Sequence, residues 1–468
     1  MSNKLKSGIL WSVIEIVIKR GIDFIVKLIL ARILFPEDFG VVGMAAVFIS
    51  FIQVLNDAGM GPAIIQKKNL NERHLNTVFW TNVCWSILLY LFLSFIVAPI
   101  AANFYEQPIL TKIIPVLSLS ILSSALNTVH FSQLRKELNF RKIAFIRNIS
   151  SFIAGIAAIS MAFFDFGVWA LVANDVIAYL ITVPLFYNAT KWKPSLQWDK
   201  NILKEILSFG IFITGSKIII NLVSNADYLI IGKWVGASAV GIYTLAFMMT
   251  NLVSGQVTSM LDTVMFPFYS SIQDDIENLR KYYLKLVGYY ILFLYPIMLT
   301  LFLFAEELVP LFFGNQWGDA IIPLRILSLS VMIVVLTHGY NLLFRSTGRP
   351  KYEFKIQRIT SLVIYLPCLV LGIYLYGIIG AAAGVLLSRL INFFIHQYIL
   401  KKYFKIRIGD IFQQAYKMII LCISLSVIVF MLRYLKIDEY FILIIYALLF
   451  STTYFALFKG NFIKIIHR

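Results

Sequence analysis

Trp11–Leu34 reads WSVIEIVIKRGIDFIVKLILARIL, long and apolar enough to cross a bilayer, yet it carries Glu15, Lys19, Arg20, Asp23 and Lys27. At about 100° per residue these five side chains fall within about 140° of one helical face, and the opposite face is Ile, Val, Leu and Phe. A charge left at mid-membrane depth costs roughly 2.5–3.5 kcal/mol on insertion scales, so five of them require water, partners or a polar ligand. Signs alternate along the i, i+4 row Glu15–Lys19–Asp23–Lys27, so mutual pairing offsets part of that cost. Two readings follow. Either the charges cross-link a helix bundle, or this face lines a water-filled, cationic cavity.

A second polar stripe lies in the apolar run 208–231, where Lys217, Asn221, Ser224 and Tyr228 stand at i, i+4, i+7 and i+11 and Asp227 lies off the stripe. Asn221 and Ser224 also suit plain hydrogen bonding between helices, whereas Lys217 needs a counter-charge. Two polar-striped helices at equivalent places in two halves of a chain are expected to face one cavity. Arg389, Asn392 and His396 at i, i+3 and i+7 form a third face, with Arg389 the best lumen candidate. The histidines near inner helix ends, His130, His338 and His396, are expected at the membrane interface.

Catalytic patterns are absent. The chain has no GxxxxGK[ST], no HExxH and no GxSxG, which argues against nucleotide, zinc-hydrolase and serine-hydrolase chemistry. Pro36-Glu37-Asp38 reads as a helix start rather than an acidic active-site pair. Cys84, Cys368 and Cys422 each sit in an apolar run without CxxC spacing, so they read as small buried hydrophobes, with no disulfide framework and no metal site. No enzyme, cofactor or nucleic-acid ligand is expected.

Positioning these residues requires membrane helices. The chain has 468 residues, 60% hydrophobic and only 14% charged, with mean hydropathy +0.82, where a soluble domain keeps about 25% charged residues. The formal charge of +17 sits mostly in short loops between apolar runs. Runs of about 20 residues give about fourteen spans, near 10–34, 39–60, 78–102, 113–133, 143–164, 167–189, 208–231, 238–265, 283–304, 319–344, 356–376, 378–400, 413–433 and 439–458. The first run is too long and too charged for a cleavable signal peptide. Alternate loops collect the Lys and Arg residues, for example Arg135 to Arg147 and Arg345 to Arg358, which puts both termini in the cytoplasm. A weak repeat relates the FPEDFGVVGMAAVF and WVGASAVGIYTLAF turns, Gln133-Leu134-Arg135 and Leu343-Phe344-Arg345, and Phe166-Gly167-Val168 and Tyr376-Gly377-Ile378. It implies six-span lobes over 1–200 and 201–402, with two further spans in 403–468. Paired lobes with a site between them are a common plan for secondary transporters.

The opening KSGILWS, ARILFPEDFGVVGMA, LNDAGMGPAIIQ and NADYLIIGKWVGASAVGIYTLAF resemble the Wzx-like polysaccharide transporters of the MOP superfamily, to which the MATE exporters also belong. The colanic- and teichuronic-acid branch is the most similar, and the resemblance covers essentially the whole chain. It implies an all-α polytopic fold of two pseudo-symmetric six-helix lobes in a MATE-like V, plus two C-terminal helices. It also implies translocation of undecaprenyl-diphosphate-linked oligosaccharide from the inner to the outer leaflet of a bacterial cytoplasmic membrane, by alternating access. Polysaccharide polymerase or assembly proteins would be partners. Such cargo is anionic at its head, and Lys19, Arg20, Lys27, Lys217, Asn221 and Arg389 are the residue types to bind diphosphate and sugar. Glu15 and Asp23 then either hold the cations in place or bind the H⁺ or Na⁺ of a driving gradient. Rival readings are a drug/cation antiporter, which favours a net-acidic lumen, a lipid II flippase, which only a substrate assay separates, and a membrane polymerase or glycosyltransferase, which needs a long outer loop.

Overall fold

In hydrocarbon every backbone N–H and C=O must find a partner within its own segment, so long apolar runs fold as helices. The structure, a computed structural model, describes residues 3–57, 60–66, 70–204, 221 and 223–466. Among them there is no strand. The chain divides into two compact units, residues 1–242 and 243–468.

The first unit holds α1 (Asn3–Ile33), α2 (Pro36–Asp57), α3 (Met60–Gln66), α4 (Glu72–Phe92), α5 (Ala98–Tyr105), α6 (Leu110–Lys136), α7 (Phe140–Phe163), α8 (Val168–Thr190) and α9 (Ala226–Trp234), and it ends within α10 (Ala237–Ser271). Helix starts follow local chemistry. α2 opens on Pro36, and the Phe35 amide donates to Asp38 Oδ2 at 3.1 Å. Asn71 and Asn139 cap α4 and α7 by accepting from the amides of His74 (3.1 Å) and Lys142 (3.4 Å). The starts of α2 and α10 approach reciprocally. A Cβ at Gly40 would lie 1.7 Å from the Ala237 carbonyl oxygen, and one at Gly241 would lie 1.8 Å from that of Pro36. The two turns that looked alike in sequence therefore pack on each other through glycine.

The second unit continues α10 and adds α11 (Ile276–Leu303), α12 (Ala305–Phe313), α13 (Ile321–Val335), α14 (Tyr340–Ser346), α15 (Pro350–Ile359), α16 (Leu366–Phe404), α17 (Ile408–Tyr434) and α18 (Glu439–Ile466). Asp275 caps α11 by accepting from the Asn278 amide at 3.0 Å, a bond that holds its carboxyl below the usual range. The connection after α12 is anchored by Trp317, which is fully buried. α16 is two helices joined at a kink, where Gly377 has φ 55°, ψ −129°. Gly167, between α7 and α8, has φ 54°, ψ −131°. That region of backbone space is essentially reserved for glycine, and the two turns paired by sequence share it.

Ten segments among the described residues are long and apolar enough to cross a membrane. They match the expected spans with four differences, each of which has a cause. α1 is missing from the ten because of its own charges. The run 208–231 is largely outside the described residues. The eleventh and twelfth spans merge into Pro350–Phe404, broken at Gly377, and the last appears as the shorter apolar helix Phe441–Tyr454. The protein is a multi-pass, all-helical membrane protein.

One sequence expectation is corrected. Cys84 is exposed, so among the three cysteines only Cys422 is buried. His130 and His396 are buried within the protein. His130 Nδ1 lies 2.6 Å from Thr190 Oγ1 and its ring packs 4.0 Å from Tyr187. His396 stacks at 4.0 Å on Tyr340. A histidine at a helix end is free to turn inward when an aromatic and a hydroxyl of a neighbouring helix receive it.

Candidate functional site

In the first unit the α1 row is built as a chain of charge contacts. Lys19 Nζ donates to Asp23 Oδ2 at 2.6 Å, the i, i+4 pair that the spacing foretold, and each side chain stays about one-third open to solvent (34% and 37%). Glu15 does not continue the row. It is buried against α7, where its Oε1 accepts from Arg147 at 2.8 Å. Rotation of α1 against α7 aims Glu15 at a helix 132 residues away in preference to Lys19 one turn along. Arg20 and Lys27 are exposed. Lys27 makes no ion pair among the described residues. It does lie in the field of Asp175 on α8, which also faces Lys19 and Asp23 electrostatically.

Asp175 is the functional candidate that the sequence reading missed. It is the one charged residue in the apolar run Gly167–Tyr187. A lone carboxylate in a span demands a partner, and that signal was available. With Arg147 it completes a cluster of Lys19, Arg20, Lys27 and Arg147 against Glu15, Asp23 and Asp175, four cations to three carboxylates, net +1.

Asn221 sits apart from that row in its bonding. Its Oδ1 accepts from Ser50 Oγ of α2 and from Asn225 Nδ2, both at 3.3 Å. With Asn225 it forms the polar end of an otherwise apolar cavity of about 350 Å³, walled by Phe48, Phe51 and Phe92. Helix-to-helix bonding, one of the two readings held for it, describes these contacts. Lys217 lies outside the described residues.

The second unit holds a different set. Arg389 Nη1 on α16 donates to Ser330 Oγ on α13 at 2.8 Å, and no carboxylate among the described residues pairs with it. Elsewhere in the unit, Asp262 of α10 accepts from the Tyr290 hydroxyl and meets His338 Nε2 at 3.3 Å. His338 sits in the turn between α13 and α14, where Gly339 takes φ 85° and interrupts the span. Broken helices that expose polar groups within a span recur at transporter sites. Among the described residues no group of three or more His, Cys, Asp or Glu is arranged to hold a metal ion.

Chemically, both sets hold charge and hydrogen-bonding capacity inside the membrane, and neither arranges a nucleophile with a base. Comparison with known proteins agrees with this character. The family described as "Polysaccharide biosynthesis protein" matches residues 29–322. Over 409 residues the chain is 27% identical to the lipopolysaccharide biosynthesis protein WzxC of Escherichia coli (strain K12), covering 86% of this chain and 82% of that protein. Over 320 residues it is 27% identical to the succinoglycan biosynthesis transport protein ExoT of Rhizobium meliloti (strain 1021), covering 68% and 65%. Among solved structures, the lipid II flippase MurJ in an inward closed conformation shares the fold, with a TM-score of 0.74 at 17% identity over 98% of this chain and 100% of that one.

Proposed function

The chain belongs to the polysaccharide biosynthesis protein family, and on that footing we propose that it is a flippase moving undecaprenyl-diphosphate-linked oligosaccharide from the inner to the outer leaflet. It is a transporter and not an enzyme, in keeping with relatives of the same kind. The observation that carries the proposal is the α1 face: Lys19, exposed Arg20 and exposed Lys27 stand on one side of the helix, in a cluster that counts four cations to three carboxylates. A diphosphate head is attracted to that net-positive face, while its prenyl tail stays in lipid. Arginine can grip a phosphate with two parallel hydrogen bonds and lysine acts as a point charge. In this reading Arg389, Lys217 and Asn221 serve the same cargo from the remaining spans, and Glu15 and Asp23 chiefly hold the cations in position.

The companion proposals are topological. Both termini are cytoplasmic, the membrane is the bacterial cytoplasmic membrane, and the lobes run 1–200 and 201–402 with two helices in 403–468. The Lys/Arg bias of alternate loops supports the orientation. A net-basic cluster disfavours a drug/cation antiporter, whose lumen must attract cations.

The test is Arg20→Ala in cells. Surface polysaccharide falls, and undecaprenyl-linked precursor of unaltered length accumulates on the cytoplasmic side. Arg20→Lys restores export only in part, because the two-pronged contact is lost. Normal export of repeat units that then fail to be joined would overturn the reading in favour of a polymerase.

A further inference from the structure

The α1 helix has a second face that the transport reading leaves unused. About 130° around from the charged row, Trp11, Ile14, Ile18 and Ile22 line one side of a groove of about 960 Å³, and α7 supplies the other side with Phe145 and Phe152. The groove is open at its surface, where Phe145 is 67% exposed. From Trp11 to Ile22 a helix rises about 16 Å, which is about half of a 30 Å hydrocarbon core. The groove therefore spans one leaflet.

Its polar end lies where α7 begins. Arg141 and Lys142 stand there, both exposed. The Arg141 guanidinium rests 5.5 Å from the Trp11 ring centroid, and no carboxylate among the described residues pairs with it. Lys142 Nζ donates one hydrogen to the Ala189 carbonyl at 3.1 Å and keeps its other two. An indole beside the cations is the usual marker of headgroup depth. Two cations at that depth, above an apolar lane one leaflet deep, are complementary to one kind of molecule.

We propose that this groove is a binding site for an anionic glycerophospholipid of the leaflet at which α7 begins. The phosphate lies against Arg141 and Lys142, and the acyl chains lie along Ile18, Ile22, Phe145 and Phe152. Basic pockets between membrane helices hold anionic headgroups by this combination of charge and apolar contact. The site is separate from the cargo site, because the Lys19–Asp23 row occupies another face of α1.

Purified, delipidated protein is titrated with dioleoylphosphatidylglycerol or dioleoylphosphatidylcholine, and bound lipid is counted by native mass spectrometry. The expected result is preference for the phosphatidylglycerol. Arg141→Gln weakens that binding about 5-fold and Arg141→Gln with Lys142→Gln about 30-fold, at about 1 kcal/mol for each surface cation. Phosphatidylcholine binding stays unchanged in both variants. The single variant guards against loss of the Lys142–Ala189 contact. Ile18→Trp, which fills the lane, lowers binding of both lipids. Equal binding of the two lipids, or full phosphatidylglycerol binding by the double variant, overturns the proposal. So does displacement of phosphatidylglycerol by an equal amount of undecaprenyl diphosphate, which would give the groove to the cargo's own tail.

Discussion

The two units carry charge inside their spans by different means. The first holds it as ion pairs: Lys19 with Asp23 at 2.6 Å and Arg147 with Glu15 at 2.8 Å. The second keeps its ion pairs at helix ends, as in Arg280 with Asp410 and Arg345 with Glu353, and deeper in its spans it holds charge through neutral hydroxyls and one imidazole. Arg389 leans on the Ser330 hydroxyl, and Asp262 leans on the Tyr290 hydroxyl and on His338, which is charged only if protonated. In a pair of opposite charges each partner offsets the other's cost of burial, so removing one strands the other. A charge held by hydroxyls has no counter-ion to lose, so it is easier to remove and more open to a charged ligand. The first arrangement ties stability to function, and the second separates them.

The largest expected effect tests that separation directly. Arg147→Ala leaves Glu15 buried without a counter-charge and should lower stability by about 3 kcal/mol, the low end for a broken buried pair because Arg147 itself is 45% exposed. Adding Glu15→Ala should recover most of the loss. Arg389→Ala should cost less than about 1 kcal/mol, since Ser330 keeps its 2.7 Å bond to the Leu327 carbonyl, while export falls. Thermal unfolding of the purified variants beside an export assay measures both. The comparison breaks if Arg389→Ala unfolds the protein as readily as Arg147→Ala.

A smaller effect asks where the units agree. Gly167→Ala and Gly377→Ala each force a Cβ into a backbone region with φ near 55°, at about 1–3 kcal/mol apiece. Since the two turns share their dihedrals, the two losses of melting temperature should be equal within error. Unequal losses would mean that the likeness of the turns is confined to the backbone.

The smallest effect concerns carboxylates outside the spans. In the second unit Arg433 serves two of them, reaching Glu307 Oε1 at 2.6 Å and Glu439 Oε2 at 3.0 Å. Burial, and then the hydrogen bond with Glu439, raise the Glu307 carboxyl above its ordinary 4.5. A folded state that keeps this proton to higher pH gains stability as pH falls from neutral toward 4.5, and loses it as pH rises through the folded value. Wild-type melting temperature should therefore rise relative to Glu307→Gln over that interval, because glutamine mimics the protonated acid at every pH. A flat difference would show that the pair with Arg433 cancels the effect of burial, and a falling one that it outweighs it.

The sequence by itself determined whatever depends on neighbours in the chain. Hydropathy set the helical spans, and period 3.6 gathered Glu15, Lys19, Arg20, Asp23 and Lys27 on one face. The i, i+4 spacing delivered the Lys19–Asp23 pair, Pro36 opened α2, and Gly167 and Gly377 marked matching turns. Each of these is settled within a few turns of helix, where geometry is nearly constant. Tertiary structure decided the rest. Glu15 chose Arg147 over Lys19, Asp175 came to face the α1 cations, Asn221 took Ser50 as its partner, and His130 turned inward to Thr190 and Tyr187. All four depend on how each helix is rotated about its axis and which helix lies beside it. Those two quantities are fixed by the summed packing of whole apolar faces, and no short stretch of sequence contains them.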